Sequence, residues 1–398
     1  MKILWVKSDF LHPTTKGGHI RTLEMLRWLH RWHEVHYVAF DDYGKNAEGP
    51  RRSGEYATRA HAVHWGMSEK KSGRFFREVL TNLFSGDPIH LTRARSAALR
   101  RKLEEVMEAE KFDVLVCDFL TPCLNLPRPG DWVLFQHNVE TMIWRRHAET
   151  AGSAPARWYY GLQAARLEEA ERRFCRQMRH VVAVSDVDAK LFREEFGAER
   201  VTAIPTGVDV DYFTPAAGQS AAATETDLVF VGSMDWSPNE DGILWFVKEV
   251  LPLIRVERRG CRLRIVGRSP SEAIRRLAAE DGGIEVTGTV PDVRPYLWGS
   301  RASIVPLRIG GGTRLKIYES MAARVPVVST AIGAEGLDVV DGENIRLADR
   351  AEEFAAGCVE LLRDGRMHGA LAEKGWRLVK ERFSWEQVAR EFEAILRR

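Results

Sequence analysis

The chain has 398 residues, of which 44% are hydrophobic and 29% charged, and its formal net charge is +2. This composition is typical of a globular enzyme and the length of two or three domains, while the small net charge disfavours a dedicated nucleic-acid-binding protein. Five cysteines without a Cys-x-x-Cys pair indicate a reducing compartment and no zinc site. No apolar run approaches the ~18 residues of a membrane span, and the first residues are unlike a signal peptide, so we predict a cytoplasmic protein.

Short apolar runs alternate with helix-like stretches along the chain, a pattern that predicts α/β structure with two doubly wound parallel sheets. The predicted strands are 3–6, 35–40, 114–117, 132–136, 181–184 and 201–204 in the first half, and 228–231, 263–266, 284–287, 303–306 and 326–329 in the second. The predicted helices are 20–31, 93–110, 157–177, 241–255, 271–279, 293–298, one from about 313, and two closing helices within 352–397.

A segment of low complexity, Thr214–Thr226 (TPAAGQSAAATET), separates the two series and is typical of a linker. We therefore predict a first domain over 1–214, a linker over 215–226, a second domain over 227–380 and a C-terminal helix over 381–398. Ligands bind at the carboxyl ends of the strands in such sheets, so a cleft between the domains is the expected active site.

The most informative segment runs from Ser303 to Leu337, where a glycine-rich loop (Gly310, Gly311, Gly312) joins a strand to a helix that starts near Thr313. Such a turn offers unpaired backbone N–H groups and a helix dipole to a phosphate. Arg314 and Lys316 oppose the dipole, which a bound pyrophosphate would explain, and Glu319 is suited to accept hydrogen bonds from a ribose diol. The alternative is a flexible loop with a Lys316–Glu319 surface pair.

Other strand ends of the second half also carry glycine. Gly232 and Ser233 follow one strand and are placed to contact phosphate, and Arg268 follows the next. A nucleobase fits between this second turn and the turn that contains Thr289. One shared ligand explains several glycine-bearing turns of one sheet better than coincidence does.

Two strand ends of the first half are candidates as well. Gly17 and Gly18 follow the first strand and allow a ligand to approach the backbone, although an ordinary strand-to-helix loop is an equal alternative. Their spacing is not Gly-x-Gly-x-x-Gly, which disfavours a nicotinamide dinucleotide. His137 follows an apolar strand, where reactive groups are presented, and its alternative is a satisfied residue beside an N-cap at Asn138.

Two pairs of aspartates look like metal-binding Asp-x-Asp motifs, but helix caps explain them better. Ser185 is a predicted N-cap with Asp188 as the acid three residues on. Neither Asp186-Val187-Asp188 nor Asp209-Val210-Asp211 has a further carboxylate cluster nearby in sequence, so we expect no metal.

Basic and aromatic residues mix in the first half, which suits a lipid-linked acceptor or peripheral contact with the inner membrane face. The favoured alternative is a set of solvated helix faces with aromatic residues in the core. The basic cluster without a nearby acid comprises Arg93, Arg95, Arg100, Arg101 and Lys102, and the mixed set comprises Trp28, Arg31, Trp32, Trp144, Arg145, Arg146, Trp158, Tyr159 and Tyr160.

Six motifs occur in the order in which they stand in bacterial glycosyltransferases of family 4, which the chain therefore resembles. The match covers nearly the whole chain and is weak only between about 41 and 112. The motifs are His137-Asn-x-Glu140, Val184-Ser185-x-x-Asp188, Pro205-x-Gly207-Val208-Asp209-x-x-x-Phe213-x-Pro215, Gly232-Ser233-Met234-Asp235-Trp236-x-Pro238-Asn239, Gly310–Glu319 with Pro326-Val327-Val328, and Phe383-Ser384-Trp385.

The resemblance implies the GT-B fold, in which two Rossmann-like domains are joined and a C-terminal helix crosses back to the first. It implies an acceptor-binding first domain, a donor-binding second domain and transfer of a sugar from a nucleotide-sugar to a saccharide or lipid-linked acceptor. Transfer would retain the anomeric configuration and use no metal or other cofactor. The implied contacts are Glu319 on the ribose, Gly311, Gly312 and Thr313 on phosphate and sugar, His137 on the donor sugar, and Gly17 and Gly18 on the acceptor side.

The chain departs from the family pattern at two places. The first Glu of the family's Glu-x7-Glu motif is replaced by Gly311, and the Arg and Lys that many members carry after the first strand of the second domain are Ser233 and Asp241. The diphosphate would then take its cations from Arg268, Arg314 and Lys316. Alternatives to a transferase are a silent nucleotide-sugar-binding partner and a nucleotide-sugar epimerase.

Overall fold

The computed structural model describes residues 1–14, 17–69, 72–149, 151–216, 226–309 and 315–398. The chain divides into two compact units, Met1–Pro205 with Val388–Arg398, and Thr206–Gln387. The division falls before residue 214, where the sequence analysis set the boundary. The reason is that Val208, Val210 and Phe213 are buried in a hydrophobic cluster of the second unit.

The first unit is built on a parallel sheet. Its strands are β1 (Lys2–Val6), β2 (Glu34–Phe40), β3 (Arg59–Val63), β4 (Val114–Asp118), β5 (Trp132–Phe135), β6 (His180–Ala183) and β7 (Val201–Ala203). In the described residues their order is β3-β2-β1-β4-β5-β6-β7, so the chain reverses direction across the sheet between β1 and β4. The inner strands are apolar over most of their length because helices cover both faces.

The helices of the first unit connect these strands. They are α1 (Gly17–Trp32), α2 (Glu48–Arg51), α3 (Gly73–Asn82), α4 (Ile89–Arg93), α5 (Ala97–Ala109), α6 (Glu140–Glu149), α7 (Ala154–Gln177) and α8 (Asp186–Glu194), with 3-10 turns at Asp42–Gly44, Ser53–Glu55, Cys123–Asn125 and Pro129–Asp131. A serine hydroxyl caps α3, α5, α7 and α8 by accepting a backbone N–H of the first turn. The predicted N-cap at Ser185 is confirmed.

The second unit contains the other parallel sheet. Its strands are β8 (Thr226–Val231), β9 (Leu263–Val266), β10 (Ile284–Gly288), β11 (Ser300–Val305), β12 (Val327–Ser329) and β13 (Arg346–Leu347). Among the described residues the order is β10-β9-β8-β11-β12-β13, and the reversal lies between β8 and β11. Both sheets therefore have the doubly wound order with one reversal point.

The second unit also contains most of the remaining helices. They are α9 (Val210–Phe213), α10 (Ser237–Trp245), α11 (Leu251–Glu257), α12 (Glu272–Glu280), α13 (Arg294–Trp298), α14 (Leu315–Ala322), α15 (Ala351–Arg363) and α16 (Gly365–Arg382), while most of α17 (Trp385–Leu396) belongs to the first unit. A π-helical turn, Phe246–Val250, joins α10 to α11. Pro252 explains it, because proline has no N–H to continue the regular ladder.

The last residues of the chain complete the core of the first unit. Phe392 is fully buried, and its ring centroid lies 5.8 Å from that of Trp5 and 5.0 Å from that of Phe135. Next to it, Glu393 Oε1 lies 2.9 Å from His33 Nε2. The first unit thus combines segments from both ends of the sequence.

The predicted fold class, two doubly wound parallel α/β sheets, is confirmed. The sequence analysis missed β3 and α3, and it predicted two closing helices where the described residues form three. Asp364 ends α15 and caps α16 by accepting the N–H groups of Arg366 and Met367. Of the helices that the structure describes, none combines the length and hydropathy needed to cross a bilayer.

Candidate functional site

At the reversal point of the first sheet, an aspartate and a lysine lie side by side. Asp118 is the last residue of β4, and Lys7 directly follows β1, its neighbour in the sheet. Lys7 Nζ lies 2.7 Å from Asp118 Oδ1, and both side chains are at most 1% exposed. Such a buried ion pair needs further hydrogen bonds to offset its desolvation.

Asp118 has these hydrogen bonds. Its Oδ2 accepts from Trp5 Nε1 at 2.9 Å and lies 2.7 Å from the Thr22 hydroxyl. Its Oδ1 lies 2.8 Å from His137 Nε2. Burial alone would raise the pKa of Asp118, but Lys7 and His137 outweigh burial and hold the pKa below its ordinary value. The carboxylate is therefore ionised and receives donors on both oxygens.

His137 is the imidazole that this carboxylate orients. Burial, aided by the nearby Lys7 and Arg21 charges, lowers the pKa of His137 to about 3, although Asp118 opposes the shift. The ring is thus neutral at physiological pH, with its Nε2 proton directed at Asp118. Its Nδ1 is buried and has no hydrogen-bond partner among the described residues. His137, just after β5, therefore has a buried lone pair on Nδ1 that can accept a hydrogen bond.

Phe119 holds His137 from one side. Its ring stacks on the imidazole with centroids 4.1 Å apart and planes 11° apart, and its backbone φ of +70° is rare for a residue with a side chain. A Cβ on Gly18 would lie 2.8 Å from this ring, so Gly18 is required by packing. No described atom lies within 4 Å of such a Cβ on Gly17. Gly18 therefore lies beside His137 in a contact that leaves no room for a side chain, whereas no contact with the described residues requires glycine at position 17.

Arg21, on α1, links the loops that follow β5 and β7. It is 2% exposed, and it donates to the carbonyl oxygens of Gln136 at 2.8 Å and Ile204 at 2.6 Å. Its guanidinium carbon lies 4.3 Å from the Phe135 centroid. Burial lowers its pKa to about 9, which leaves it charged at neutral pH. Arg21 therefore fixes the segment that leads to His137.

In the second unit, the reversal point is occupied by the ammonium of Lys316. Lys316 lies in the first turn of α14, and its Nζ donates to Asn239 Oδ1 at 2.8 Å and lies 4.3 Å from the Phe230 centroid. A Cβ on Gly232 would come within 2.7 Å of this nitrogen. The amide of Asn239 in turn donates to the carbonyl of Ser233 at 2.7 Å. Lys316, Gly232, Asn239 and Ser233 thus form one group at the carboxyl end of β8.

Backbone contacts join the glycine turns of this sheet. A Cβ on Gly267 would lie 1.7 Å from the Gly232 carbonyl oxygen, a distance no side chain allows. Gly267 also donates its N–H to the carbonyl of Gly288 at 3.2 Å. The turns after β8, β9 and β10 therefore pack backbone to backbone. Thr289 extends from the last of these turns and is exposed.

Glu319 lies one helical turn after Lys316. It is half-buried, and burial raises the pKa of its carboxyl, with the charge of Lys316 acting in the opposite direction. Because Glu319 lies on α14 one turn after Lys316, its carboxylate is close to the Lys316 group. It is compatible with an acceptor of hydrogen bonds from a ligand's hydroxyls.

Arg268 is already engaged by its neighbours. Its Nε donates to Ser233 Oγ at 2.7 Å, its Nη2 lies 3.6 Å from Asp235 Oδ2, and the side chain is 62% exposed. Asp241, at the place of a lysine in the family pattern, pairs with Arg308 through contacts of 2.6 and 3.0 Å. Gly311, Gly312, Thr313 and Arg314 lie outside the described residues.

Two features of the sequence have structural explanations. Four of the five members of the basic cluster predicted to lack acids are paired: Arg93 with Glu78, Arg95 with Asp87, Arg100 with Glu104 and Lys102 with Glu105, at 2.5 to 3.6 Å. That prediction was wrong, because α3 and the loop after it supply two of the acids and α5 the others. Asp209, of the second aspartate pair, caps α9 by accepting the Tyr212 N–H.

Sequence reasoning missed Asp118, Lys7 and Arg21, and it quoted Asn239 in the fourth motif without giving it a role. The first two were detectable, because each is a charged residue at the carboxyl end of an apolar strand, the feature that singled out His137. Arg21 and Asn239 gave no such signal. Both lie on helices, and only the three-dimensional packing shows that they reach the strand ends.

Comparison with known proteins identifies the family. Residues 15–212 match the family described as Glycosyltransferase Family 4, and residues 225–364 match the one described as Glycosyl transferases group 1. The chain belongs to glycosyltransferase family 4. The resemblance seen in the six motifs is thereby confirmed.

Curated relatives of this family 4 chain are about a quarter identical to it over the stretches that align. One is described as an uncharacterized 44.6 kDa protein in the cps region of Klebsiella pneumoniae, 25% identical over 41% of this chain and 44% of the relative. Another is the MMP alpha-(1->4)-mannosyltransferase of Mycolicibacterium hassiacum, 28% identical over 61% of this chain and 60% of the relative. The chain spans about half the length of the curated relatives it matches.

Solved structures confirm the GT-B fold. Sucrose-phosphate synthase from Thermosynechococcus elongatus has a TM-score of 0.67 at 16% identity, covering 100% of this chain and 98% of that protein. Anabaena HepE in complex with UDP and glucose has a TM-score of 0.64 at 13% identity, covering 100% of this chain and 99% of that protein. At these identities the likeness concerns the fold alone.

Proposed function

We propose that this family 4 member transfers a sugar from a nucleotide-sugar donor to a saccharide or lipid-linked acceptor during synthesis of a cell-surface polysaccharide or glycoconjugate. The observation that carries the proposal is the Lys316 ammonium over Gly232, held by Asn239 at the reversal point of the second sheet. Relatives described as mannosyltransferases, a relative from a cps region and a neighbour solved with UDP and glucose support it.

On the donor side, Lys316 compensates the charge of the diphosphate, and Glu319 accepts hydrogen bonds from the ribose diol. The bond between the anomeric carbon and the phosphate oxygen breaks with both electrons passing to the diphosphate. Electrostatic stabilisation of this departing charge is usually the largest contribution to catalysis. Lys316 supplies it from a fixed position, because Asn239 and the Phe230 ring hold its ammonium.

Gly311, Gly312, Thr313 and Arg314 complete the phosphate contacts in this proposal, with Gly232, Ser233, Arg268 and Thr289 beside them. Arg268 contributes less than Lys316, because Asp235 already compensates part of its charge. These cations take over the task that a divalent ion performs in metal-dependent transferases.

The acceptor oxygen attacks the anomeric carbon from the face that the diphosphate leaves, so the configuration is retained. The acceptor's proton passes to the leaving phosphate oxygen, and no protein nucleophile takes part. His137 contacts the donor sugar: its Nε2 proton is committed to Asp118, so Nδ1 accepts a hydrogen bond from a sugar hydroxyl. The first unit binds the acceptor near Gly17 and Gly18.

The test is a panel of UDP-, GDP-, ADP- and dTDP-linked sugars, with thermal stabilisation and slow donor hydrolysis measured for the wild type and for Glu319→Ala. Glu280→Ala, which removes an exposed glutamate of the same unit, is the matched control. One donor is expected to stabilise the wild type and the control and to be hydrolysed by both, and Glu319→Ala is expected to lose both effects. A chelator in the assay should leave hydrolysis unchanged.

Other outcomes would contradict the proposal. Stabilisation without hydrolysis, and without transfer to any added acceptor, would indicate a silent binding partner. Conversion of the donor to an epimer in the absence of acceptor would indicate an epimerase. No response to any donor would exclude the nucleotide-sugar site.

A further inference from the structure

Helix α3 of the first unit exposes large apolar side chains to solvent. Phe76 is 56% exposed, Leu80 62% and Phe84, in the turn that continues the helix, 94%. Their spacing of four residues places them on one side of the helix. Such a stripe normally faces a protein core, and here it faces outward.

The opposite side of α3 is polar and anchored to the protein. Glu78 accepts from Ser68 Oγ at 2.5 Å and from Arg93 Nε at 3.1 Å. The Asn82 side-chain oxygen accepts from Gln163 Nε2, on α7, at 2.9 Å. Hydrogen bonds thus hold the helix in place with its apolar side outward, the reverse of an ordinary surface helix.

The unpaired charge beside the stripe is basic. Arg77 is exposed and forms no ion pair with any described residue, whereas Arg74, also exposed, pairs with Glu78 at 2.9 Å. Glu78 is the acid between Gly73 and Phe84, and Ser68, Arg74 and Arg93 hold it on the anchored side. An apolar helix face flanked by an arginine matches an anionic lipid surface, which takes the apolar side chains between its headgroups and attracts the arginine.

We propose that the outer face of α3, with Phe76, Leu80 and Phe84 as anchors and Arg77 beside them, docks the protein onto an anionic lipid bilayer. The docking does not depend on the proposed transferase activity. If that activity is also correct, the docked chain takes its acceptor from the membrane surface, because the segment that leads to α3 leaves β3 at the carboxyl end of the parallel sheet, the end at which Lys7, Asp118 and His137 lie.

The experiment is co-sedimentation of the full-length protein with vesicles of phosphatidylcholine alone and of phosphatidylcholine mixed with phosphatidylglycerol. The wild type should bind the anionic vesicles and release them at high salt. The triple variant Phe76→Ser/Leu80→Ser/Phe84→Ser should bind at least about tenfold more weakly, and Arg77→Glu at least about fivefold. Thermal melting checks that each variant folds, since the replaced side chains are exposed.

The matched control is Val187→Ser/Val256→Ser, which removes two apolar side chains that are 62% and 79% exposed elsewhere, and it should bind like the wild type. The proposal is wrong if the wild type ignores anionic vesicles, or if the triple variant binds them as well as the control does. It is also wrong if sedimentation velocity shows dimers that the triple variant abolishes while vesicles stay unbound, since the face would then join two copies.

Discussion

His137 Nε2 and Lys7 Nζ share one carboxylate oxygen, Asp118 Oδ1, at 2.8 and 2.7 Å. Three adjacent strands, β1, β4 and β5, supply or lead into these residues, so the sheet itself sets the distances between them. The arrangement fixes both the charge state and the tautomer of the histidine. His137 thereby becomes an acceptor aimed away from Asp118.

Replacing Asp118 should destabilise the protein strongly. Asp118→Asn leaves Lys7 buried without a negative partner, which should lower the free energy of unfolding by about 3–5 kcal/mol. Chemical denaturation measures it, with Asp131→Asn, at a half-exposed pair with Arg128, as the control. The double variant Lys7→Met/Asp118→Asn should recover part of the loss. Equal unfolding midpoints for Asp118→Asn and Asp131→Asn would contradict the argument.

Neighbouring glycines at the start of α1 should respond differently to alanine. Gly18→Ala forces a Cβ against the Phe119 ring, which cannot retreat because it is stacked on His137, so the expected cost is about 1–3 kcal/mol. Gly17→Ala meets no described atom and should leave the stability unchanged or slightly raised. Thermal melting of both variants checks this. A lower melting temperature for Gly17→Ala than for Gly18→Ala would refute it.

A similar comparison tests the backbone contact in the second sheet. Gly267→Ala must separate the turn after β9 from the Gly232 carbonyl, and we expect a loss of about 3 kcal/mol of unfolding free energy. Gly282→Ala is the control, because no atom of the described residues lies within 4 Å of a Cβ at that position. Urea denaturation of the two variants should show the difference, and two equal midpoints would mean that the turns are not in contact.

The cations of the second sheet should differ in their effect on turnover. Lys316→Ala should lower kcat by about 10²-fold, as loss of a fixed charge-stabilising group does, whereas Arg268→Ala should cost less than about tenfold. The reason is that Asp235 and Ser233 already engage Arg268. Steady-state kinetics with the donor found in the panel measure both, with Lys248→Ala, at an 82% exposed lysine, as the control. A larger effect of Arg268→Ala would reverse the assignment.

Glu171 should make stability depend on pH. It is fully buried and accepts the N–H groups of Glu140 and Thr141 at the start of α6, and burial raises its pKa from 4.5 to about 7. Below pH 4.5 the group is protonated in both folded and unfolded chains and contributes nothing. As the pH rises to about 7, the unfolded chain releases the proton and the folded one keeps it, so the wild type loses about 3 kcal/mol.

The check is the unfolding free energy of the wild type and Glu171→Gln across that range. The difference between them should change in favour of the glutamine variant between pH 4.5 and about 7 and then level off. Glu169→Gln, at a 70% exposed residue of the same helix, should show no such trend. Parallel curves for the wild type and Glu171→Gln would rule out a raised pKa.

The sheets were predictable because parallel strands buried on both faces are apolar over most of their length, as in VLVC of β4 and WVLF of β5. β3 was missed for the complementary reason: in RAHAV, on the edge of the sheet, only Val63 is buried. α3 was missed because the residues around it resemble the family only weakly. In addition, its apolar side chains face solvent and pack into no core of the described residues.

The candidate site was predictable where a polar residue ends a strand, as with His137, and where glycine does, as with Gly232. Its supporting residues were not, because their roles depend on distances that no pattern in the sequence contains. Asn239 and Lys316 form a hydrogen bond although 77 positions separate them in the sequence, and Arg21 and Ile204 do so at a separation of 183. The packing of Gly18 on Phe119 likewise depends on the positive φ of Phe119, which directly follows β4.

Phe392 and Glu393 tie the folding of residues 1–205 to a segment that is made much later. On the ribosome, residues 1–205 emerge long before Val388–Arg398, so Trp5 and Phe135 at first lack the Phe392 ring that packs on them. The first unit can complete its core only after residues 388–398 have been synthesised. A fragment that stops at residue 205 would leave an apolar gap in its core, and a peptide of residues 388–398 supplied separately should fill it.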